Sequence, residues 1–421
     1  MIDPGENQRL TEVGRGTAMG ELLRRYWHPI GAATEFDHQS VKAVRLLGED
    51  LVLYKDREGT YGLLERHCPH RRADLSYGFV DDCGLRCSYH GWAFDEAGRC
   101  ISQPFEDRAK TNTRFRDSIK VAAYPVQEMA GLLFAYLGPL PAPSCPEWEQ
   151  FTYEEGFRQI VFSDVPCNWL QCQENSIDPV HFEWLHSNWS RSLRGEVGSY
   201  APTHIKIDFE EFDFGIAYHR MVEHEDETSA NWQTLRLCIL PNLFLPQSHF
   251  EWRVPVDDTT TLSVVWHYQR VPLEQEPYRQ ERIPHWYAPI TDPVTGRWVT
   301  SHTINQDTVA WVGQGTNSDR EHEHLGRSDL GVMMLRRQLL ADLEAVAEGR
   351  DPKGVIRDPA AARRVTLPFN RQQLLAARSF TGEEWRQRFL SPTRNNPDDY
   401  FDLIAGQPPQ VRAAFEEAMG L

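Results

Sequence analysis

The chain changes its hydrophobic period several times along its 421 residues. In the first 35 residues the apolar positions of GELLRRYW recur at helical spacing, and Gly16-Thr17 supplies a start. An N-terminal helical segment over 1–40 is expected. From about 42 to 138 the character is β. The runs VRLLG, LVLYK, YGLLER and GLLFAYL are short and apolar, and signals such as DREG and DEAG divide them. This predicts a small all-β domain over 41–140. Pro-rich GPLPAPSCPEWEQ, residues 138–150, reads as a linker. The remainder, 141–421, mixes types. A helical stretch near 167–187 precedes alternating strands around 203–222, 233–253 and 260–270. The clearest long helix is LGVMMLRRQLLADLEAVAE, with Ser328 or Asp329 as its cap. The last seventy residues are Arg- and Pro-rich with further helical patches, and the chain carries no internal repeat.

Composition narrows the classes. A 40% hydrophobic and 25% charged chain of this length buries a full core and divides into two or three domains. Thirteen Trp, 14 Tyr and 20 Phe mostly fill that core, and they also suit an apolar pocket. The net charge of −17 is spread along the chain and repels nucleic acid and anionic membrane. An anionic substrate then has to be drawn in by local Arg. The opening MIDPGENQRL has no apolar signal core, and the longest apolar stretches are too short to span a bilayer, so a soluble cytoplasmic protein is expected. Eight Cys in such a chain argue for ligands and buried thiols rather than a disulfide frame.

Two constellations carry chemistry. The first is Cys68-x-His70, sixteen residues, then Cys87-x2-His90. Each short loop delivers one thiolate and one imidazole, which is the inventory of a [2Fe-2S] cluster with two Cys on one iron and two His on the other. A structural zinc site uses the same residue types, but C-x-H is not its usual spacing. Pro69 stiffens one loop and Gly91 permits a tight turn in the other, while Cys83 and Cys100 fall outside the pattern as structural thiols.

The second is Asn175-x2-Asp178-x2-His181-x4-His186. Two His and one carboxylate on a face of Fe(II) leave positions open for O₂ and substrate. Pro179 places a helix start at Asp178. On a regular helix, five residues advance about 500° and leave the two His about 140° apart. The segment therefore has to tighten, bulge in π fashion or end before His186. Asp307, a lone carboxylate in the uncharged HTINQDTVAWVGQG, is the best candidate for the third ligand. His322 and His324 with Glu321 and Glu323 in DREHEHLGRSD imitate a metal cluster but read as a solvated turn before the long helix.

These motifs, in this order and separation, resemble the α (oxygenase) subunits of Rieske non-haem iron aromatic-ring oxygenases. GTAMGELLRRYWHPIG, VRLLGEDLVLY, residues 68–92 and DREHEHLGRSDLGV look like the phthalate dioxygenase-like branch. The resemblance implies an α+β fold: an N-terminal all-β Rieske [2Fe-2S] domain followed by a catalytic domain of antiparallel sheet flanked by helices. It implies a Rieske cluster on Cys68, His70, Cys87 and His90, and a mononuclear Fe(II) on His181, His186 and Asp307. Asp178 becomes the acid that links an iron-ligand His to a cluster-ligand His across a subunit boundary, in a homotrimer or hexamer. Asn175 is expected to tune the ligands from behind.

The branch further implies an aromatic, carboxylated substrate, oxidised with O₂ by cis-dihydroxylation or by O-demethylation. Arg220 and Arg236, on predicted strands with apolar neighbours, and His219 are the candidates to bind its carboxylate. No Gly-rich nucleotide fingerprint is present, so electrons are expected from a separate NAD(P)H-dependent reductase. The rival readings are a Rieske electron carrier and a metal-binding protein without oxygenase activity.

Overall fold

The computed structural model describes residues 2–108, 113–196, 198, 200–246, 249–368 and 404–421. Within these, β1 (Trp27–Ala32), β2 (Val41–Leu46), β3 (Glu49–Lys55), β4 (Tyr61–Glu65), β5 (Phe79–Val80), β6 (Leu85–Arg86), β7 (Ala93–Phe94), β8 (Cys100–Ser102), β9 (Ala123–Tyr124), β10 (Val126–Met129) and β11 (Leu132–Tyr136) build small antiparallel sheets. Their orders are β1-β11-β10, β2-β3-β4-β9 and β5-β6-β7-β8. The apolar runs of the sequence fall in β2, β3, β4 and β11. β3 reads as a continuous run rather than an alternation because both its faces are covered. Leu51 and Leu53 join the large central core, while Val52 and Tyr54 join a separate core beneath the Cys and His loops.

The N-terminal forty residues are α-helical only as far as Leu23, with a short 3-10 turn at Ala33–Asp37 after the first strand. Helices Pro4–Thr11 and Ala18–Leu23 are followed by β1, which pairs with β11 from Trp27↔Tyr136 to Ala32↔Leu132. Thr17 does cap the second helix, its Oγ1 accepting from Gly20 N at 3.1 Å. The helical reading fails beyond it because Tyr26, Trp27 and Ile30 are strand formers, and β11 offers them a partner.

Strands β12 (Gly156–Val165), β13 (His204–Phe212), β14 (Gly215–Val222), β15 (Arg236–Ile239), β16 (Leu243–Leu245), β17 (His249–Asp257), β18 (Thr260–Arg270) and β19 (His285–Tyr287) form one sheet in the order β13-β14-β15-β16-β17-β18-β12-β19. All its pairings are antiparallel except the edge pair β12–β19. One face carries Phe250, Trp252 and Trp266 into the central core, where Trp252 meets Phe134 of β11 and Trp266 donates to Ala130 O. The other face is covered by helices. Gln173 of helix Trp169–Asn175 reaches Cys238, Trp311 of helix Thr303–Gly313 lies over Arg253, and Phe182 lies against Arg220.

The long helix Leu330–Ala347 follows Asp329, whose carboxylate accepts from Gly326 N instead of capping the helix from within. At the C-terminus, helix Pro409–Met419 closes on left-handed Gly420 (φ 69°) and packs Phe415 edge-on against Phe157. The tail's other helical patches, over 369–403, lie outside the described residues.

Candidate metal centres

The two Cys-His loops are built alike. In the first, Cys68 N donates to Ala73 O and Arg72 N to Cys68 O, each at 2.8 Å. In the second, Cys87 N donates to Trp92 O at 2.8 Å and Gly91 N to Cys87 O at 3.0 Å. The fifth position of each loop is left-handed: Arg72 at φ 60° and Gly91 at φ 74°. Both thiols are buried and both imidazoles are exposed, with ring centroids 4.5 Å apart. Trp92 stacks on His70 at 4.4 Å, and Tyr89 lies 3.8 Å from His90. Two interior sulfurs beneath two surface imidazoles form a donor set that fits a cluster with one Cys₂ iron and one His₂ iron. All eight cysteines are free. Cys83 is exposed, and Cys100 donates weakly to Ser102 O at 3.6 Å.

The second constellation converges through a π-helix. Asp178 takes the hydrogen bond of Val180 N at 2.8 Å, and residues Phe182–Trp189 then run as a π-helix. Its i→i+5 bonding stacks residues five apart on one side, which removes the angular misfit of a regular helix. His181 and His186 consequently face each other with centroids 5.0 Å apart. Asp307 reaches them from helix Thr303–Gly313, its Oδ1 lying 3.6 Å from His181 Nε2 and 3.3 Å from His186 Nε2. Among the described residues these three form a group able to hold a single metal ion, with ligand atoms within 4.8 Å of one another. His186 Nε2 is buried with no hydrogen-bond partner among the described residues, as a ring nitrogen reserved for a metal would be.

The support behind these three is specific. Gln306 Oε1 sits 3.1 Å from His186 Nδ1, so that nitrogen carries the proton and Nε2 keeps its lone pair. Asp178 Oδ2 stands 3.7 Å behind His181 Nδ1, and Asn175 Nδ2 donates to Asp307 Oδ1 at 3.3 Å. Burial works against ionisation of Asp178, but contact with His181 outweighs it and holds the carboxyl below its ordinary range. Burial likewise opposes protonation of His186, and the Asp307 carboxylate outweighs it.

Asn175 owes its position to the residue before it. Buried Glu174 accepts from Arg320 Nε and Nη2 at 3.0 and 2.8 Å and from Arg336 Nε at 2.6 Å. DREHEHLGRSD therefore anchors the ligand helix rather than binding metal: Arg320 holds Glu174, Glu323 pairs with Arg336, and exposed His322 pairs with Asp319.

The candidate substrate residues separate by strand parity. Arg220 lies on the sheet face under the helices, its guanidinium 4.5 Å from the Phe182 ring and its Nε buried without a partner among the described residues. Arg236 shares that face, but it donates to Asn231 O, Thr234 O and Asn231 Oδ1 and so ties down its own loop. His219 is a correction. One residue from Arg220, it points to the opposite face, stacks on Trp232 and bonds Trp232 O at 2.6 Å, so it does not join the group. Sequence reasoning missed Gln306 and a buried polar row on β17, His249, Glu251 and Arg253. The signal was present in HFEWRV, where polar residues alternate with Phe250, Trp252 and Val254.

The chain has clear relatives among known proteins. Residues 26–125 match the Rieske [2Fe-2S] domain. The chain is 57% identical to the 5,5'-dehydrodivanillate O-demethylase oxygenase subunit of Sphingobium sp. (strain NBRC 103272 / SYK-6), covering 87% of each chain. It is 34% identical to the phenoxybenzoate dioxygenase subunit alpha of Ectopseudomonas oleovorans, over 84% of this chain and 88% of that one. The solved structure of Pseudomonas putida CBB5 NdmB shares the fold at a TM-score of 0.56 and 19% identity, covering 79% of this chain and 94% of that one. No described helix is long and apolar enough to cross a membrane. The chain belongs to the oxygenase (α) subunits of the Rieske non-haem iron oxygenases, in the phthalate dioxygenase-like branch, which use a [2Fe-2S] cluster and a mononuclear iron to oxidise aromatic substrates with O₂.

Proposed function

We propose that this enzyme O-demethylates a methoxylated aromatic carboxylate of the 5,5'-dehydrodivanillate type. The observation that carries the reading is the 57% identity, across 87% of both chains, to a subunit of that activity. Arg220 supports it: its Nε is buried without a partner among the described residues and its guanidinium is set against the Phe182 ring, which suits an aromatic acid. Cys68, His70, Cys87 and His90 would hold the cluster, and His181, His186 and Asp307 would hold the iron. When bound, the cluster would relay electrons from the reductase and the iron would supply the O₂ activation for hydroxylation of the methoxy carbon. With O₂, two electrons and two protons, the methyl ether becomes a hemiacetal and water. The hemiacetal's C–O bond to the methylene carbon then breaks, releasing a phenol and formaldehyde.

The chain's own residues position and exclude. Gln306 fixes the His186 tautomer, Asn175 steadies Asp307, and Phe182 packs against both imidazoles. Asp178 is the residue we assign to the subunit boundary. Its side chain is 30% exposed beside a cleft of about 520 Å³ lined by Trp184, Leu185 and Leu325. The cluster loops in turn present His70 and His90 outward. This pairing supports a homotrimer or hexamer that seats one subunit's cluster edge on the next subunit's cleft. Electrons come from a separate NAD(P)H-dependent reductase.

The test is formaldehyde release with such a reductase, NADH and a panel of methoxylated aromatic acids. Stoichiometric formaldehyde and phenol are expected. A cis-diol without formaldehyde would replace demethylation with ring dihydroxylation. Arg220→Ala is expected to raise KM for the acid at least 10-fold, and an unchanged KM would remove Arg220 from the site.

A further inference from the structure

The helix-covered face of the large sheet carries a row of polar side chains at one level. Register aligns Tyr218 of β14 with Arg236 of β15, and His249 of β17 with His267 of β18 and Gln159 of β12. β16 ends at Leu245, so the row passes its end between Arg236 and His249. This is the face under the elements that bring Asn175, His181, His186 and Asp307 together.

Several atoms of this face are buried with no partner among the described residues: Tyr218 Oη, Arg220 Nε, His249 Nδ1 and His267 Nδ1. Buried polar atoms are ordinarily paired, so a cluster of orphans beside a reaction centre marks where a ligand supplies the partners. Gln159 is not among the free groups, since Trp286 Nε1 and Gln407 Nε2 both donate to it. The row thus ends functionally at His267, which is 4% exposed.

The first of the two histidines is held in one orientation. His249 Nε2 sits 2.7 Å from Glu251 Oε1, and Arg253 pairs with Glu251 from its other side while stacking on Trp311. Burial opposes ionisation of Glu251, but Arg253 and His249 outweigh it and carry the carboxyl down to about 2. An ionised Glu251 requires the proton on His249 Nε2, which leaves Nδ1 as an acceptor. His267 lies across the strand pair with its ring 6.2 Å away, and burial followed by the neighbouring His249 lowers its pKa to about 3. An uncharged His267 imidazole suits a hydroxyl, whereas a carboxylate would call for a cation.

We propose that His249 and His267 form the far wall of the substrate site, where His249 Nδ1 accepts the hydrogen bond of a phenolic hydroxyl of the substrate, with Glu251 and Arg253 as positioning residues. This deepens the demethylase reading and rests on it for the identity of the reaction. The Tyr218 end and His249 are three strand spacings apart, about 14 Å at the usual interstrand distance. That span exceeds one substituted ring and fits a two-ring acid, carboxylate toward Arg220 and hydroxyl toward His249.

The test is calorimetric binding to the intact oxygenase of a methoxylated biphenol dicarboxylate, compared with the same biphenyl bearing hydrogen in place of each hydroxyl. Wild type is expected to bind the hydroxylated acid about 10-fold more tightly, the effect of one buried hydrogen bond. His249→Phe should narrow the gap to under about 3-fold, with the deoxy acid's affinity and the Rieske EPR signal unchanged. His267→Phe should act in the same direction, and His249→Gln should restore part of the gap. A wild type that does not discriminate, or that binds neither acid, overturns the proposal even if the His249 variant cannot be made. An unchanged gap in both Phe variants overturns it as well. Formaldehyde, measured in parallel, reads the reaction separately: discrimination without formaldehyde keeps the histidine pair and removes the demethylase reading.

Discussion

Replacing Gln306 with Leu tests whether the iron site depends on a fixed imidazole tautomer. Gln306 is 4% exposed and uses both ends of its amide. Oε1 takes the Nδ1 proton of His186 at 3.1 Å, while Nε2 donates to Ser190 Oγ and Thr300 O at 2.8 and 2.9 Å. Without the acceptor, the His186 proton redistributes between its nitrogens, and the ring loses the restraint that aims Nε2 toward Asp307. Loss of such a supporting bond costs about 10- to 100-fold in metal affinity, or about 1.4 to 2.7 kcal/mol. The assay is anaerobic equilibration with graded chelator, counting mononuclear iron against the reduced Rieske signal as internal standard. Gln306→Leu should release iron at about 10- to 100-fold weaker chelation while the cluster persists. Gln306→Glu keeps an acceptor at Oε1 and should hold iron within about 3-fold of wild type. Iron retention in the Leu variant equal to wild type would refute the tautomer argument. Equal loss in both variants would refute it too, by shifting the effect to the donor bonds with Ser190 and Thr300.

Three further outcomes are expected. Arg320→Met leaves the buried Glu174 carboxylate with Arg336 alone, and should destabilise the fold by about 3–5 kcal/mol in denaturant titration; a change under about 1 kcal/mol would show the network to be dispensable. Gly331→Ala places a methyl 2.4 Å from the Phe209 ring and 2.8 Å from Ile177 O, next to Asp178, and should cost about 1–3 kcal/mol in the same titration with reduced turnover. Glu251 has a folded pKa of about 2 against an ordinary 4.5, so its contribution, of order 3 kcal/mol, is full above pH 4.5 and is lost as pH falls toward 2. Glu251→Gln should therefore lower Tm at pH 7, with the gap to wild type closing progressively below pH 4.5; a constant gap would show that Glu251 is not ionised in the fold.

The sequence by itself singled out the residues of two candidate donor sets, with Asp307 as the preferred carboxylate among several. Cys68, His70, Cys87 and His90 announce themselves because a cluster needs two thiolates and two imidazoles on short loops, and local spacing alone supplies them. The β character of 42–138 and the long helix after Asp329 were legible for the same reason: each is written in local period. The H-x4-H spacing even stated its own misfit, and the π-helix over Phe182–Trp189 resolves it. Where the local signal was mixed, it misled. The helical period of GELLRRYW ends at Leu23 because β11 recruits Trp27–Ala32, a partner more than a hundred residues away.

Only the tertiary structure decided which polar residues share a space. Parity on β14 puts Arg220 under the site helices and turns His219 away, a distinction fixed by strand pairing and invisible in the pair of adjacent letters. Gln306 supports His186 across 120 residues, and Glu174 gathers Arg320 and Arg336 from more than 140 residues away. His249 meets His267 because β17 and β18 pair in one register. Ligand type is a property of a residue and can be read in one dimension. The company a ligand keeps depends on sheet register and helix packing, which are set by burial of the whole chain.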